Sequence, residues 1–268
     1  MIRARDAAIV VMVVACSAVT TPAWAQSSSQ PSGPARVTPA VVEPKATAAL
    51  ERMRVYLRAL RTFQVQSAVT SEEVLADGQK VQFASAVNML AQRPNRLLVE
   101  VTSERLDRRF FYDGRTFTLW APRTNYYATV AAPPTINELL DVLDDRYDIE
   151  MPLADLVRWG GARSGEGAIT AAVDIGPSVV DGTTCEHYVF RQAGLDWQIW
   201  MQSGEYPLPL KLVLTTTTDE ARPQYTATYT WNLAPSFNTA AFTFVPPADA
   251  RRIVVAEVGA ADRRKPKP

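Results

Sequence analysis

Histidine is almost missing from this chain: His187 stands alone among 268 residues. Any serine- or cysteine-based hydrolytic centre that borrows an imidazole must use this one, and no nucleophile elbow of the Gly-x-Ser-x-Gly type occurs to meet it. Cysteine is scarce too, with only Cys16 and Cys185. Cys16 lies in a segment expected to be removed or lipidated, so Cys185 has no intramolecular partner and the fold must stand on its core rather than on a disulfide. Neither charge predominates, 28 basic residues facing 28 acidic ones. Without a basic cluster in the body of the chain, the electrostatic footprint of a nucleic-acid binder is missing. Nor does any apolar run reach the ~20 residues that a membrane-spanning helix needs.

Against these absences stands a hydrophobic content of 47%, with six Trp, nine Tyr and nine Phe, ample for a core and incompatible with wholesale disorder. The N-terminus reads as an export label. Arg3 and Arg5 precede an apolar run over residues 7–15, and Ala23-Trp24-Ala25 places small residues at both recognition positions of a cleavable signal over residues 1–25. The competing reading takes Val13-Val14-Ala15-Cys16 as a lipoprotein box, which makes Cys16 the lipidated start of an outer-membrane lipoprotein. Residues 26–40 are dominated by Ser, Gln, Pro and Gly and form a linker. A single folded domain is expected over 41–255, followed by a disordered basic tail over 256–268.

The domain opens on an amphipathic helix, since Ala46, Ala49, Leu50, Met53, Leu57 and Leu60 follow helical spacing. Residues 63–75 alternate as a strand, reverse at Asp77-Gly78, and return through Val81, Phe83, Val87 and Met89. Then comes a tight meander. Leu97, Val99 and Val101 alternate with Leu98, Glu100 and Thr102, and Phe110-Phe111-Tyr112 turns at Asp113-Gly114 into a strand ending at Leu119-Trp120. Asp-Gly pairs are strong hairpin signals because the turn tolerates positive φ. Several of these strands are apolar on both faces, so something must cover the second face. After a further strand over 125–130, Ile136, Leu139, Leu140 and Leu143 shift to helical spacing, and Leu153, Leu156 and Val157 repeat it. Two short helices are expected there, hinged by the glycines that follow Trp159. Strands then resume over 169–175, 183–191, 196–202, 208–218 and 224–233, about eleven in total.

Few residues suggest chemistry. Cys185 and His187 are two apart on a strand, about 6.5 Å along the backbone, too far for the direct proton transfer of a catalytic dyad. Packing against the neighbouring sheet is the favoured role. Asp141, Asp144, Asp145 and Asp148 continue a helix without the glycine of a calcium loop, so a solvated helix face outweighs a metal site. Trp197, Ile199 and Met201 share one strand face, with Trp200 on the other. No cofactor and no catalytic residue is expected.

With its strands placed, the chain resembles the LolA/LolB-like superfamily of bacterial periplasmic carriers, and closer still a domain-of-unknown-function family of exported proteins within it. The likeness rests on the opening helix before the long strand from Phe63, the Arg93-Pro94-Asn95 strand start, the Asp113-Gly114 hairpin running to Trp120, the helical insert, and Phe242-Thr243-Phe244-Val245-Pro246-Pro247. It implies a mostly β (α+β) fold: a half-open antiparallel barrel with an N-terminal helix and a helical lid over an apolar cavity for acyl chains. Phe83, Val87, Leu97, Val99 and Phe110 are then expected to line that cavity from one half of the sheet. Phe117, Leu119, Trp197, Ile199 and Met201 are expected to join them, and Leu139, Leu140 and Leu143 to form the inner side of the lid. The resemblance gives Arg93 the role of a latch on lid backbone; the competing reading is a solvated arginine. The chain departs from the carriers in a longer helical insert and a basic tail over 263–267. The implied function is a monomeric, non-enzymatic periplasmic binder of a lipid, lipoprotein or other acylated ligand. An envelope sensor or protein-interaction module on the same fold, with an envelope protein as partner, is the alternative; a hydrolase ranks below both.

Overall fold

A computed structural model describes residues 41–158 and 169–257, which belong to a single compact unit. The expected signal peptide, the linker and the glycines after Trp159 lie outside the described residues, as does all of the basic tail beyond residue 257. Helix α1 (Pro44–Ala59) begins with proline in its first turn, where a missing backbone donor costs nothing, and buries Ala46, Ala49, Leu50, Met53 and Leu57 along one stripe. Two long strands follow, β1 (Thr62–Val74) and β2 (Lys80–Gln92), then the meander of β3 (Arg96–Ser103), β4 (Asp107–Tyr112), β5 (Thr116–Ala121) and β6 (Tyr126–Ala131). Helices α2 (Ile136–Tyr147) and α3 (Ala154–Arg158) come next. The second run comprises β7 (Ala171–Val180), β8 (Thr183–Gln192), β9 (Leu195–Gln202), β10 (Pro209–Thr216) and β11 (Gln224–Asn232), and β12 (Arg251–Arg252) ends the described chain.

All these strands form one open sheet in the order β12-β6-β5-β4-β3-β2-β1-β11-β10-β9-β8-β7. The long β1 lies in the middle, pairing with β2 over the whole hairpin and with β11 from Gln64 to Ser71. The sheet has twelve strands rather than about eleven, and it is not purely antiparallel: Arg251 and Arg252 run parallel to Tyr126 and Tyr127 on β6. The outer strands β7 and β12 do not pair with each other, so the barrel is open. At the β7 edge the chain entering α1 adds a short parallel contact, with Glu43 N donating to the Ala172 carbonyl at 2.8 Å. Beyond it the edge carries a bulge between Asp174 and Gly176 and then Pro177, features that discourage further strand addition.

Alternation decides which residues face the helices. Phe63, Val65, Met89, Leu97, Val99, Phe110, Tyr112 and Phe117 enter the main core with the buried faces of α1, α2 and α3. The opposite face of the meander is also apolar, and here the cover is not a helix. Phe244 sits on it, with ring centroids 5.3 Å from Phe111, 5.6 Å from Trp120 and 5.1 Å from Tyr127. The short 3-10 helix Thr239–Phe242 buries Phe242 just before it. The C-terminal segment thus supplies the second layer that the two-faced strands require.

The turns are more varied than the repeated Asp-Gly pairs suggest. At Asp181-Gly182 both residues have positive φ, 47° and 78°, but at Asp113-Gly114 only Gly114 does, at 91°. Asp113 instead folds its carboxylate over the loop, accepting from the backbone of Arg115 at 2.9 Å and Thr116 at 2.8 Å.

Candidate ligand cavity

The inner face of the sheet is not filled evenly. Bulky side chains crowd the region under α1 and α2, but a row running across β11, β1, β2 and β3 reads Tyr229, Ser67, Val87, Val101, and the next reads Ala227, Val69, Ser85, Ser103. Serine and alanine at these positions are too short to meet the insert packed above them. They leave a cavity of about 570 Å³. Its floor is Val69 and Ser71 of β1, Ser85 and Val87 of β2, Val101 of β3, Leu212 and Leu214 of β10, and Tyr225 and Tyr229 of β11. Its roof is Leu140 and Asp144 of α2, the connection from Ile149 to Leu153, and Ala154, Asp155, Leu156 and Arg158 of α3.

The roof is positioned by caps and by strain. Thr135 caps α2 by accepting from the backbone of Glu138 at 3.3 Å, while the Ile136 N–H donates to the Pro94 carbonyl at 2.8 Å. Asp148 ends the helix in the left-handed conformation. Leu153 also has positive φ, 60°, unfavourable for a branched side chain, and it is held there by burial of that side chain beside the cavity. Arg93 lies in the turn between β2 and β3, and its Nη2 donates to the Val157 carbonyl of α3 at 3.2 Å. Burial lowers the pKa of this arginine, and its Nε is buried without a partner.

The charged groups of the lining all come from the roof. Asp144, Glu150 and Asp155 border the cavity, with Arg158 the sole cationic residue in the lining. Arg158 lies 3.7 Å from Asp141 and 3.9 Å from Asp144, beyond hydrogen-bond distance, and its Nε is buried without a partner among the described residues. Asp155 keeps exposed surface at the cavity border although protein atoms crowd its carboxyl. That crowding pushes its carboxyl pKa up, and Arg158 offsets only part of the shift. Burial also raises Tyr225 to about 12 and Tyr229 well above the usual phenol range.

Of the residues expected at the cavity, Val87 and Leu140 border it. Leu97, Val99, Phe110, Leu139, Leu143, Ile199 and Met201 are packed core outside its lining, as are Phe190 and Trp197, whose rings stack at 4.2 Å. Phe117 and Leu143 meet across a gap too small for water, and Leu119 is half-buried beside the same core. Phe83 faces inward at the far end of the hairpin, covered by the Arg105 guanidinium 3.8 Å from its ring centre. The chamber therefore lies nearer α3 and β11 than the resemblance implied. Tyr225 and Tyr229 are borders that sequence reasoning missed, although their alternation with Ala227 was available to find them.

His187 and Cys185 point to the other face of the sheet. The imidazole stacks on Trp200 at 4.0 Å with planes 8° apart, and Nε2 is 3.1 Å from Gln198 Oε1. Cys185 is buried against Val180 and Leu210. Among the described residues no cluster of potential metal ligands occurs, and no helix is long and apolar enough to cross a membrane.

The chain is distantly similar to several solved structures. LprF from Mycobacterium bovis aligns at 14% identity with a TM-score of 0.42, over 78% of this chain and 99% of its own. The lipoprotein LppX from Mycobacterium tuberculosis aligns at 12% identity and 0.38, over 73% and 100%. A LolA superfamily protein from Nitrosomonas europaea aligns at 11% identity and 0.36, over 74% and 97%. No curated protein matches the chain. In sequence, residues 46–256, more than half of the chain, match the family described as predicted periplasmic protein (DUF2092), and the chain belongs to that family.

Proposed function

We propose that this protein is an exported, non-enzymatic binding protein of the periplasm that shelters the acyl chain of a lipid or acylated protein between its sheet and its helical insert. The observation that carries the reading is the cavity itself. Its 570 Å³ falls within the roughly 300–1,000 Å³ of small-molecule sites, and valine and leucine side chains supply much of its floor. Each methylene withdrawn from water contributes about 0.8 kcal/mol, so a covered apolar chamber is what an acyl chain needs in order to cross an aqueous compartment. Arg93 acts as a latch: its hydrogen bond to the Val157 carbonyl ties α3 to the β2–β3 turn, and breaking it frees the roof to open. The periplasmic setting agrees with the description of the family.

Native mass spectrometry on protein purified from its own cell envelope tests the proposal. A non-covalent adduct of lipid mass, displaced by a fluorescent fatty acid that binds saturably, is the expected result. A clean apo mass together with no saturable binding of the probe overturns it.

A further inference from the structure

The polar side of the chamber goes beyond what an acyl chain alone requires. Within the lining, Asp144, Glu150 and Asp155 face one guanidinium, that of Arg158, which already lies beside Asp141 and Asp144. Opposite them Tyr229 is only 5% exposed, borders the cavity, and its hydroxyl makes no hydrogen bond within the described structure. Asp155 and Tyr225, the latter also without a hydrogen bond at its hydroxyl, line the same cavity, and both act electrostatically on Tyr229. The Tyr229 hydroxyl is left without a protein partner among the described residues, and three carboxylates share one guanidinium, so the polar side of the chamber is net negative. An occupant that brings N–H donors and positive charge complements both features.

Building on the lipid-binding reading, we infer that the ligand of this cavity is an amphiphile with an ammonium head. Its alkyl chain lies over Val69, Val87, Val101, Leu212 and Leu214, and its amine is held by Asp155 and Glu150 with the Tyr229 hydroxyl as an additional acceptor. An anionic head is disfavoured at the same place, because three lining carboxylates against one guanidinium leave the polar side net negative.

Isothermal titration calorimetry with 1-decanol, decylammonium and decanoate, each well below micelle formation, separates the two claims. Decanol reports the apolar chamber alone. Decylammonium is expected to bind about tenfold tighter than decanol, the scale of a charge-assisted hydrogen bond, with decanoate the weakest of the three. Decyltrimethylammonium, which keeps the charge and lacks N–H donors, is expected to fall between decylammonium and decanol. In the Glu150→Gln/Asp155→Asn double variant the preference for decylammonium over decanol disappears while decanol still binds. Tyr229→Phe narrows the gap between decylammonium and decyltrimethylammonium. If decanol binds and decanoate matches or exceeds decylammonium, this inference fails while the chamber stands. If the preference survives in the double variant, the inference fails as well. If none of the probes binds, the lipid-binding reading falls and this inference with it.

Discussion

Single residues carry sharp consequences where the backbone leaves no freedom. A Cβ added at Gly114 would stand 2.8 Å from Asn95 Nδ2 and 3.0 Å from its Cγ, at a φ of +91° that an L side chain rarely adopts. Gly114→Ala is therefore expected to lower stability by about 1–3 kcal/mol, read as a drop in the thermal midpoint. Gly78→Asn serves as a control, since nothing lies within 4 Å of that position and asparagine tolerates positive φ; it is expected to cost much less. His187 sets a pH dependence. Burial depresses its pKa, Gln198 opposes the shift through a hydrogen bond, and Lys211 adds to it. In such a case the unfolded chain takes up the proton first, so His187 contributes stability above its ordinary pKa near 6.5, and that contribution is lost as pH falls. His187→Gln is expected to fold, to bind ligand as the parent does, and to lose less of its thermal midpoint than the parent between pH 7 and pH 5. A larger loss in the variant would contradict this sign, and a loss of ligand binding would contradict the placement of His187 outside the site.

Among the elements, the insert matters most. Leu140 is 1% exposed and borders the cavity, so Leu140→Glu must either bury an unpaired carboxylate, at several kcal/mol, or hold the roof away from the sheet. The second course costs less, because α2 and α3 are short elements packed on a sheet whose strands pair independently of them. Retained far-UV circular dichroism with a strongly weakened affinity for a fluorescent fatty acid is the expected outcome. Unchanged affinity in the folded variant would show that this helix is no lid. Arg93→Ala removes the bond to Val157 without placing a charge in the roof. It is expected to speed ligand release by roughly ten- to a hundredfold, in keeping with about 1.5–3 kcal/mol for a hydrogen bond from a charged donor, and to increase hydrogen exchange at α3.

At the scale of the molecule, the C-terminal segment turns a two-faced sheet into a three-layer arrangement of helices, sheet and strap. Phe244 covers Phe111, Trp120 and Tyr127, and the chain then pairs Arg251 and Arg252 with β6, protecting that edge. Phe244→Ala is expected to cost about 1–3 kcal/mol, below the figure for a fully buried phenylalanine because the ring is only half-buried. The check is a chemical-denaturation curve, together with raised binding of a dye that detects exposed apolar surface. Since the cavity lies on the opposite face, ligand affinity is expected to survive at temperatures where the variant remains folded.

Local order came through in the sequence. The helical spacing from Ala46 to Leu60, the long hairpin around Asp77-Gly78, the meander and the two insert helices follow from periodicity and turn chemistry, because those signals act between residues a few positions apart. The need for a second covering layer could also be read from Phe110-Phe111 and Leu119-Trp120. Which segment supplies it could not, since Phe244 meets Phe111 across 133 positions of chain only once the fold has closed. The location of the chamber was likewise a tertiary decision. Alternation marks Leu97, Val99 and Ile199 as inward-facing just as it marks Val69 and Val87, but an inward side chain borders a space only where its neighbours are too small to fill it. Ser67, Ser85 and Ala227 become one row and the next only after β1 has paired with both β2 and β11, and that juxtaposition, rather than any residue's own character, leaves the cavity under α3.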